Sequence, residues 1–550
     1  MTLYNCRTTD DKNVERKRYM GNTRELTQRV KSILDEKPAL RQYLFVRGFL
    51  MSSKAQKEQG YPFYGAWTHT EFSDYHFYVH PEQKLHIVSG TERSCFLIGH
   101  AYNPFTMEYS EGKMLQQMAD SDRDALYRLL NELTGVFTFG YVEHDSLTLI
   151  SDCAGMQIAY YGEINGDLYV STHMQLLGDL LTLPVSDYVE RLIKYRFYPL
   201  YGAYLPGDLS SYEGVRRIVP NTEVIYKNHV FQLRRFYPVR DLRMCKNEVE
   251  YDAGIQQIAG IMRNTMELIS QKWERPAISL SGGMDSKGSL AAANGIYDRF
   301  YLFSYISMPG ERIDAEAAAK LAQAVGANHH VDYISDNDDD FPDIEDYRVI
   351  LEHNFGNIGK TNKNDVRKRV FYTNPAKHPF DIEAKSWVSE VGRANYYKKF
   401  GLSQMPKRLS PRHMTTMYKF FLHNRSLMHA TDRIFRDYIR DTHFDDIYNY
   451  DASDMFLWEM RYGSWGGQVI TCEHRFAFNI TVPYNNRRLM EIFLTLPLEK
   501  RISDQAHYDM IRVLNPKIDA TGITITNYNE TKSRMRKERL YYLVNTHFPF

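Results

Sequence analysis

Six residues near the middle of the chain, Ser281-Gly282-Gly283-Met284-Asp285-Ser286, have the types and spacing for phosphate chemistry. Two consecutive glycines leave the main chain bare, so its N–H groups can approach a phosphate closely. A helix starting just after them adds the positive end of its dipole. Serine hydroxyls donate to the same oxygens. A carboxylate facing a phosphate is useful when a cation lies between them, so Asp285 implies Mg2+, a hard ion that takes oxygen ligands. The competing reading is a plain Gly-Gly turn in which Ser281 or Asp285 caps a helix.

A loop of this kind needs a strand before it and a helix after it, and the sequence supplies both. PAISL reads as a short strand, SGGMDSKGSLAAANG opens a helix, FYLFSYIS is a second strand and AEAAAKLAQAVG a second helix. Strand and helix in alternation predict a parallel sheet with crossover helices. Upstream, VEYDAGIQQIAGIMRNTMELISQ has apolar residues three and four apart, as a helix does. From about residue 408 the chain reads as mostly helical, ending in the basic stretch KSRMRKER.

The first half has a different texture. Between Tyr43 and Tyr237 lie short runs rich in β-branched and aromatic residues: YLFVRGFL, HFYVH, KLHIVSG, SCFLIGHAY, GVFTFGYVEH, SLTLISD, AYYGEI, DLYVST and TEVIYKNHVFQL. Bounded by Gly, Asn, Asp or Pro, they predict antiparallel strands, with helices over 121–133 and 174–181. Residues 1–40 form a charged extension, helical over 23–34. The expected organisation is this extension, an α+β unit over 41–245 and an α/β unit over 246–550.

Bulk properties narrow the function. The chain has 550 residues, 43% of them hydrophobic, which excludes a mainly disordered protein. Its 68 basic and 68 acidic side chains cancel, so no global field gathers nucleic acid or anionic lipid, and neither partner is expected. No apolar run spans a bilayer and the charged start lacks the apolar core of a secretory signal, so the expected location is the cytoplasm. Five scattered cysteines, Cys6, Cys95, Cys153, Cys245 and Cys472, with no CxxC spacing, argue against a disulfide framework or a zinc-cysteine site.

The string SGGMDS resembles the SGGxDS pyrophosphate loop of the PP-loop ATP pyrophosphatases. That likeness implies an enzyme that cleaves ATP between its α and β phosphates and transfers AMP to an oxygen. An antiparallel α+β unit preceding such a loop resembles the asparagine synthetase superfamily. GVFTFGYVEHDSLTLISDCAGMQIAYY is similar to the family's glutaminase pattern through Gly135, Phe137, Phe139, Asp152, Gly155, Tyr160 and Tyr161. VRRIVPNTEVIY, MPGERIDAEAAAKLAQAVGANHHVDY and EHRFAFNITVPYNNRRLMEIFLTLP resemble later family segments, so the likeness covers about 43–532. It implies an amidotransferase-like sandwich of the Ntn type followed by a nucleotide-binding α/β synthetase unit with ATP and Mg2+ as cofactors. Ser281, Gly282, Gly283, Asp285 and Ser286 then hold pyrophosphate, and Asp285 the metal.

Three departures from the family pattern shape the expected activity. A glutaminase of this type uses an N-terminal cysteine freed by removal of Met1, whose α-amino group is the base. Position 2 here is Thr2, and Cys6 would need further cleavage. Loss of glutaminase activity is therefore expected. Superfamily members without that cysteine, the β-lactam synthetases and lasso-peptide cyclases, adenylate a carboxylate and let an amine attack it. Second, KSWVSEVGRANYY stands where the family has another pyrophosphate loop; it places Glu390 as a base or orienting carboxylate and Arg393 where the family has a Mg2+-binding aspartate. Arginine either binds phosphate directly or marks a lost metal. Third, Lys532, with Lys537 next, is the nearest candidate for the lysine that stabilises charge on the α-phosphate.

Two other signals are set aside. His329 and His330 are adjacent on a strand and point to opposite faces, which suits structure better than ligation. The acidic stretch 336–346 reads as a solvated insertion. The expected reaction joins a small-molecule or peptide carboxylate to an amine or ammonia, in a chain that is a candidate homodimer. The alternatives are a glutamine-hydrolysing amidotransferase, a PP-loop enzyme acting on tRNA, or a non-catalytic binding protein descended from a synthetase.

Overall fold

The computed structural model describes residues 23–525 and 532–547, a mixed α/β structure built on three sheets. The first sheet runs Arg216–Arg217, Tyr160–Ile164, Asp167–Ser171, Phe49–Ser52, Tyr75–Val79, Thr68–Phe72 from edge to edge. The second runs Val230–Arg235, Thr222–Lys227, Ser146–Ser151, Thr134–Glu143, Ser94–Tyr102, Leu85–Ser89. Every pairing in both sheets is antiparallel.

These two sheets pack face to face. Phe49, Met51, Phe77 and Val79 of the first share a core with Phe96, Ile98, Leu149 and Val224 of the second. The rings of Phe77 and Phe96 meet edge to face at 5.0 Å. Alternate residues, Leu50 and Tyr78 on one sheet and Leu97, Phe137 and Phe139 on the other, are buried on the outer faces beneath helices. Strands covered on both faces read as unbroken apolar runs, which is why SCFLIGHAY shows little alternation.

The third sheet is wholly parallel, in the order His330–Tyr333, Tyr301–Ile306, Pro276–Ser279, Ile382–Ala384, Asn479–Thr481. The 25-residue helix Glu248–Lys272 leads into it. The Asn247 side chain accepts the Glu250 N–H at 2.9 Å and caps the helix start, with Glu248 and Glu250 in its first turn.

Several expectations are corrected by local chemistry. YLFVRGFL is not one strand: Phe45 and Arg47 adopt left-handed φ values of 49° and 56°, so extended structure starts at Phe49. The stretch expected as a helix over 121–133 is Arg123–Glu132, capped by Asp122, and a second helix, Glu111–Asp120, precedes it behind a Ser110 cap. The polar edge strand Thr68–Phe72 had no apolar run to reveal it. The acidic stretch is largely solvent-exposed, as expected, though pinned at points: Lys37 reaches Asp343 and Asp346, both at 2.5 Å, and Arg367 holds Asp338. No described helix is long and apolar enough to cross a membrane.

Candidate active site at the carboxyl ends of the parallel strands

Chain order and sheet order together define a crevice. From Pro276–Ser279 the chain moves to strands on one side, Tyr301–Ile306 and then His330–Tyr333, before returning to the other side with Ile382–Ala384. In open parallel sheets ligands bind outside the carboxyl ends of the strands where the winding reverses. The two segments leaving that point here are 280–286 and 385–393. Thus the topology brings together two loops that lie about a hundred residues apart in sequence.

Their meeting point is the Asp285 carboxylate. Ser389 donates its hydroxyl to Asp285 Oδ1, and Arg393 Nη1 donates to the same oxygen at 3.1 Å. The other side of the guanidinium grips Asp504, with Nε to Oδ1 at 2.8 Å and Nη2 to Oδ2 at 3.1 Å, while Lys398 Nζ reaches Asp504 Oδ1 at 2.6 Å. Burial, followed by the Glu390 charge, pushes the Asp285 carboxyl up to about 6, against the lowering pull of Arg393. At Asp504 burial acts in the raising direction but is outweighed by Arg393 and Lys398, which hold that carboxyl down to about 2.

Glu390 lies in the turn Ser389–Arg393 and accepts the Tyr462 hydroxyl hydrogen on Oε2. Burial, then Glu390, pushes the Tyr462 phenol well above its ordinary range, so it stays a donor. Tyr462 is carried by a π-helical segment, Leu457–Gly466, a geometry that recurs at functional sites. A second phenol, Tyr484, donates to the Asp285 main-chain oxygen at 3.2 Å.

The glycine loop itself is compact. Gly283, which has no side chain to cap with, is the N-cap of helix Met284–Ala292, and Asp285 lies in the first turn rather than at the cap. Ser286 Oγ accepts the Ser281 N–H at 3.2 Å and pairs with Ser281 Oγ at 3.0 Å; Ser281 Oγ accepts the Gly283 N–H at 3.1 Å. The Gly282 N–H donates to the carboxylate of Asp314 at 3.2 Å, so one main-chain donor of the turn is already taken by an acidic side chain.

The loop is also covered. A Cβ added at Gly282 would lie 2.1 Å from Ile525 Cδ1 and 2.9 Å from Ala317 Cβ. Lys287, buried beneath the same segment, donates to the Ile523 main-chain oxygen at 2.8 Å. The space beside it, lined by Lys287, Tyr508, Gly522 and Ile523, is about 30 Å³. Small-molecule sites run to roughly 300 Å³ or more, so this space does not hold a nucleotide while 520–525 lies over the loop.

The residues fit Mg2+ arriving with nucleotide and do not fit a resident metal. Asp285 offers one carboxylate already held by Arg393, and one carboxylate suffices when phosphate oxygens and water complete the shell. Arg393 stands where the resemblance implies a second acidic ligand.

Other expected residues fall elsewhere. Lys532 opens the terminal helix Lys532–His547 and is exposed, as is Lys537; among the described residues no hydrogen bond or ion pair links either to Asp285, Glu390 or Arg393. Thr2 and Cys6 lie outside the described residues. His329 Nε2 pairs with Ser304 Oγ at 2.9 Å, and His330 stacks on Tyr301. Ser389, Asp504, Tyr462, Asp314 and Ile525 were not singled out from sequence, because only the fold brings them to the loop.

The residues behind the glutaminase-like pattern lie where the sandwich meets the parallel-sheet half. Buried Asp152 accepts the N–H groups of Phe137, Met156 and Gln157 and the Asn485 amide at 2.8 Å. Asn485 Oδ1 accepts the Ala154 N–H, and Arg487 donates to the Ser151 and Asp152 oxygens. A Cβ on Gly467 would come within 2.0 Å of the Gly155 oxygen. The strand Phe49–Ser52 is preceded by Val46, Arg47 and Gly48, which carry neither thiol nor hydroxyl.

No protein-family model matches the sequence, and no curated protein does. Solved structures show distant, partial likenesses. The glutamine phosphoribosylpyrophosphate amidotransferase of B. subtilis, complexed with ADP and GMP, is 10% identical over 52% of this chain and 59% of its own, with a TM-score of 0.21. An allosteric regulatory enzyme of purine biosynthesis is 10% identical over 59% of this chain and 89% of its own, at 0.23. A glutamine-dependent NAD+ synthetase from Acinetobacter baumannii, in complex with ADP, is 16% identical over 34% and 38%, at 0.17. This chain therefore spans 59% of the first and 38% of the third. Superpositions this poor carry no argument about activity.

Proposed function

We propose that this protein is an ATP-dependent amide-bond-forming ligase that adenylates a carboxylate, with glutaminase activity lost. In this reading 41–245 is a glutaminase-like unit without its nucleophile and 246–550 an asparagine-synthetase-like nucleotide unit. The observation that carries it is the position of the SGGMDS turn: it leaves the carboxyl end of Pro276–Ser279 at the reversal point of a parallel sheet, with Asp285 beside Glu390 and Arg393.

The substrate carboxylate oxygen bonds to the α-phosphorus of Mg-ATP as the bond to the β-phosphate oxygen breaks. Pyrophosphate leaves across the N–H groups of the loop, with Ser281 and Ser286 as donors and Arg393 as a fixed cation. An amine then attacks the acyl carbon, AMP departs, and Glu390, oriented by Tyr462, takes the amine proton. In this reading 520–525 moves aside to admit nucleotide and then closes over the acyl-adenylate, a mixed anhydride that water would hydrolyse.

A second reading, a synthetase-derived binding protein, is favoured by two observations: Arg393 neutralises Asp285, and Ile525 covers Gly282. Pyrophosphate release from Mg-ATP with a panel of amino-acid and peptide carboxylates separates the two. Ligase activity predicts carboxylate-dependent release that falls at least about 100-fold in Asp285→Asn, the scale of losing one catalytic electrostatic contact. Equal release from both proteins, or no Mg-ATP binding by the wild type, rejects adenylation.

A further inference from the structure

The edge hairpin of the first sheet, Thr68–Phe72 with Tyr75–Val79, carries a cluster that the ligase reading leaves unused. We infer that it is a binding site for one divalent transition-metal ion of the Zn2+ class, held by His69, Glu71 and His76. One ligand atom from each of the three lies within 4.8 Å of the others. The register explains this convergence: Glu71 and His76 are directly opposed across the ladder, and His69 is two residues from Glu71 on the same face.

The distances suit a single ion. His69 Nε2 and His76 Nδ1 face each other at 3.2 Å, and His76 Nδ1 lies 3.5 Å from Glu71 Oε1. With metal–ligand bonds of about 2.0 to 2.2 Å, such separations subtend roughly 100° and 115°, close to tetrahedral. Two imidazoles and one carboxylate leave a fourth position for water or an outside ligand.

The site is also braced from behind. Glu58 Oε1 lies 2.9 Å from His69 Nδ1, so that nitrogen carries the proton and Nε2 presents its lone pair to the ion. The His69 ring stacks on Tyr78 at 4.5 Å and 7°, and the Tyr78 hydroxyl is fixed in turn by the Gln56 N–H at 2.7 Å. Imidazole donors select Zn2+, Cu2+ or Ni2+ over Mg2+. The ion would join the loop carrying Glu58 to a sheet edge that pairs with no further strand among the described residues.

Zn2+ titration of the untagged, full-length, metal-stripped protein by calorimetry, with visible absorption of Co2+ as a second readout, tests this. The site predicts one equivalent bound, a tetrahedral Co2+ band, and no competition from Mg2+. His76→Gln and Glu71→Gln, both of which keep the Tyr78 stack, should each weaken binding at least 10-fold. Glu58→Gln should weaken it about 10- to 100-fold without changing the stoichiometry. Zn2+ binding by a folded His69→Gln/His76→Gln double variant at wild-type affinity, or displacement by Mg2+, overturns the inference, as does the absence of binding to wild type.

Discussion

Arg393 Nη1 lies 3.1 Å from Asp285 Oδ1, so the one carboxylate of the SGGMDS turn is already half of an ion pair. The same guanidinium holds Asp504, and both partners are only about one-fifth exposed. Breaking a buried pair costs more than the pair contributes, because the abandoned charge stays buried. Arg393→Ala is therefore expected to lower the unfolding free energy by about 2–4 kcal/mol in urea denaturation. Arg393→Lys should recover only part of this, since an ammonium cannot reproduce the two-nitrogen fork on Asp504 while still reaching Asp285. An unchanged midpoint in Arg393→Ala would show that the pair does not form in solution.

Asp285 predicts a pH signature. Its carboxyl titrates near pH 6 in the fold and near pH 4 when unfolded, so the folded state binds the proton more tightly. The contribution of this group to stability is fully present below pH 4 and is lost as pH rises through 6. Asp285→Asn, which cannot ionise, should then be more stable than wild type at pH 7–8 by on the order of 1–3 kcal/mol, with the advantage vanishing near pH 4. Denaturation curves of both proteins at three pH values check it, and a variant destabilised equally at every pH contradicts it.

Packing over the glycine loop is open to a mutant cycle. Gly282→Ala places a methyl against Ile525 and Ala317 and should cost about 1–3 kcal/mol. Combined with Ile525→Ala, which vacates the closest contact, the substitution should cost less than half as much. Additive losses would mean that Ile525 does not cover the loop in solution.

Asn485 joins the two halves of the molecule through three buried hydrogen bonds, to the Gly135 oxygen, the Asp152 carboxylate and the Ala154 N–H. Asn485→Ala strands those partners and is expected to cost about 2–4 kcal/mol in urea unfolding. Asn485→Asp, which sets a second carboxylate against Asp152, should cost more. Equal stability of all three proteins would argue against the network.

Much of the architecture was readable from residue patterns because it is local. Period and turn residues revealed the strands of the sandwich, and SGGMDS announced its own strand–turn–helix. What could not be read is whatever sequence distance separates. Asp504 lies 111 residues from Arg393 and Tyr462 lies 72 from Glu390; no spacing rule joins them. Thr68–Phe72 was missed because an exposed edge strand need not be apolar. The Lys532 assignment rested on position alone, and the helix it opens packs instead against Asn395–Phe400 and Pro411–Tyr418.

The π-helical stretch Leu457–Gly466 has one more implication. Its Trp458 indole donates to the Cys153 oxygen, its Glu459 carboxylate receives Arg235, and its Gly463 oxygen receives Arg217, while its Tyr462 steadies Glu390. Three of those anchors belong to the sandwich. A protein shortened to its carboxy-terminal half would therefore not be a self-sufficient module: it would expose the far side of this π-helical stretch, stripping partners from an indole, an acid and a carbonyl beside the tyrosine that steadies Glu390. Whatever its own chemistry, the amino-terminal half serves as the wall against which the rest is built.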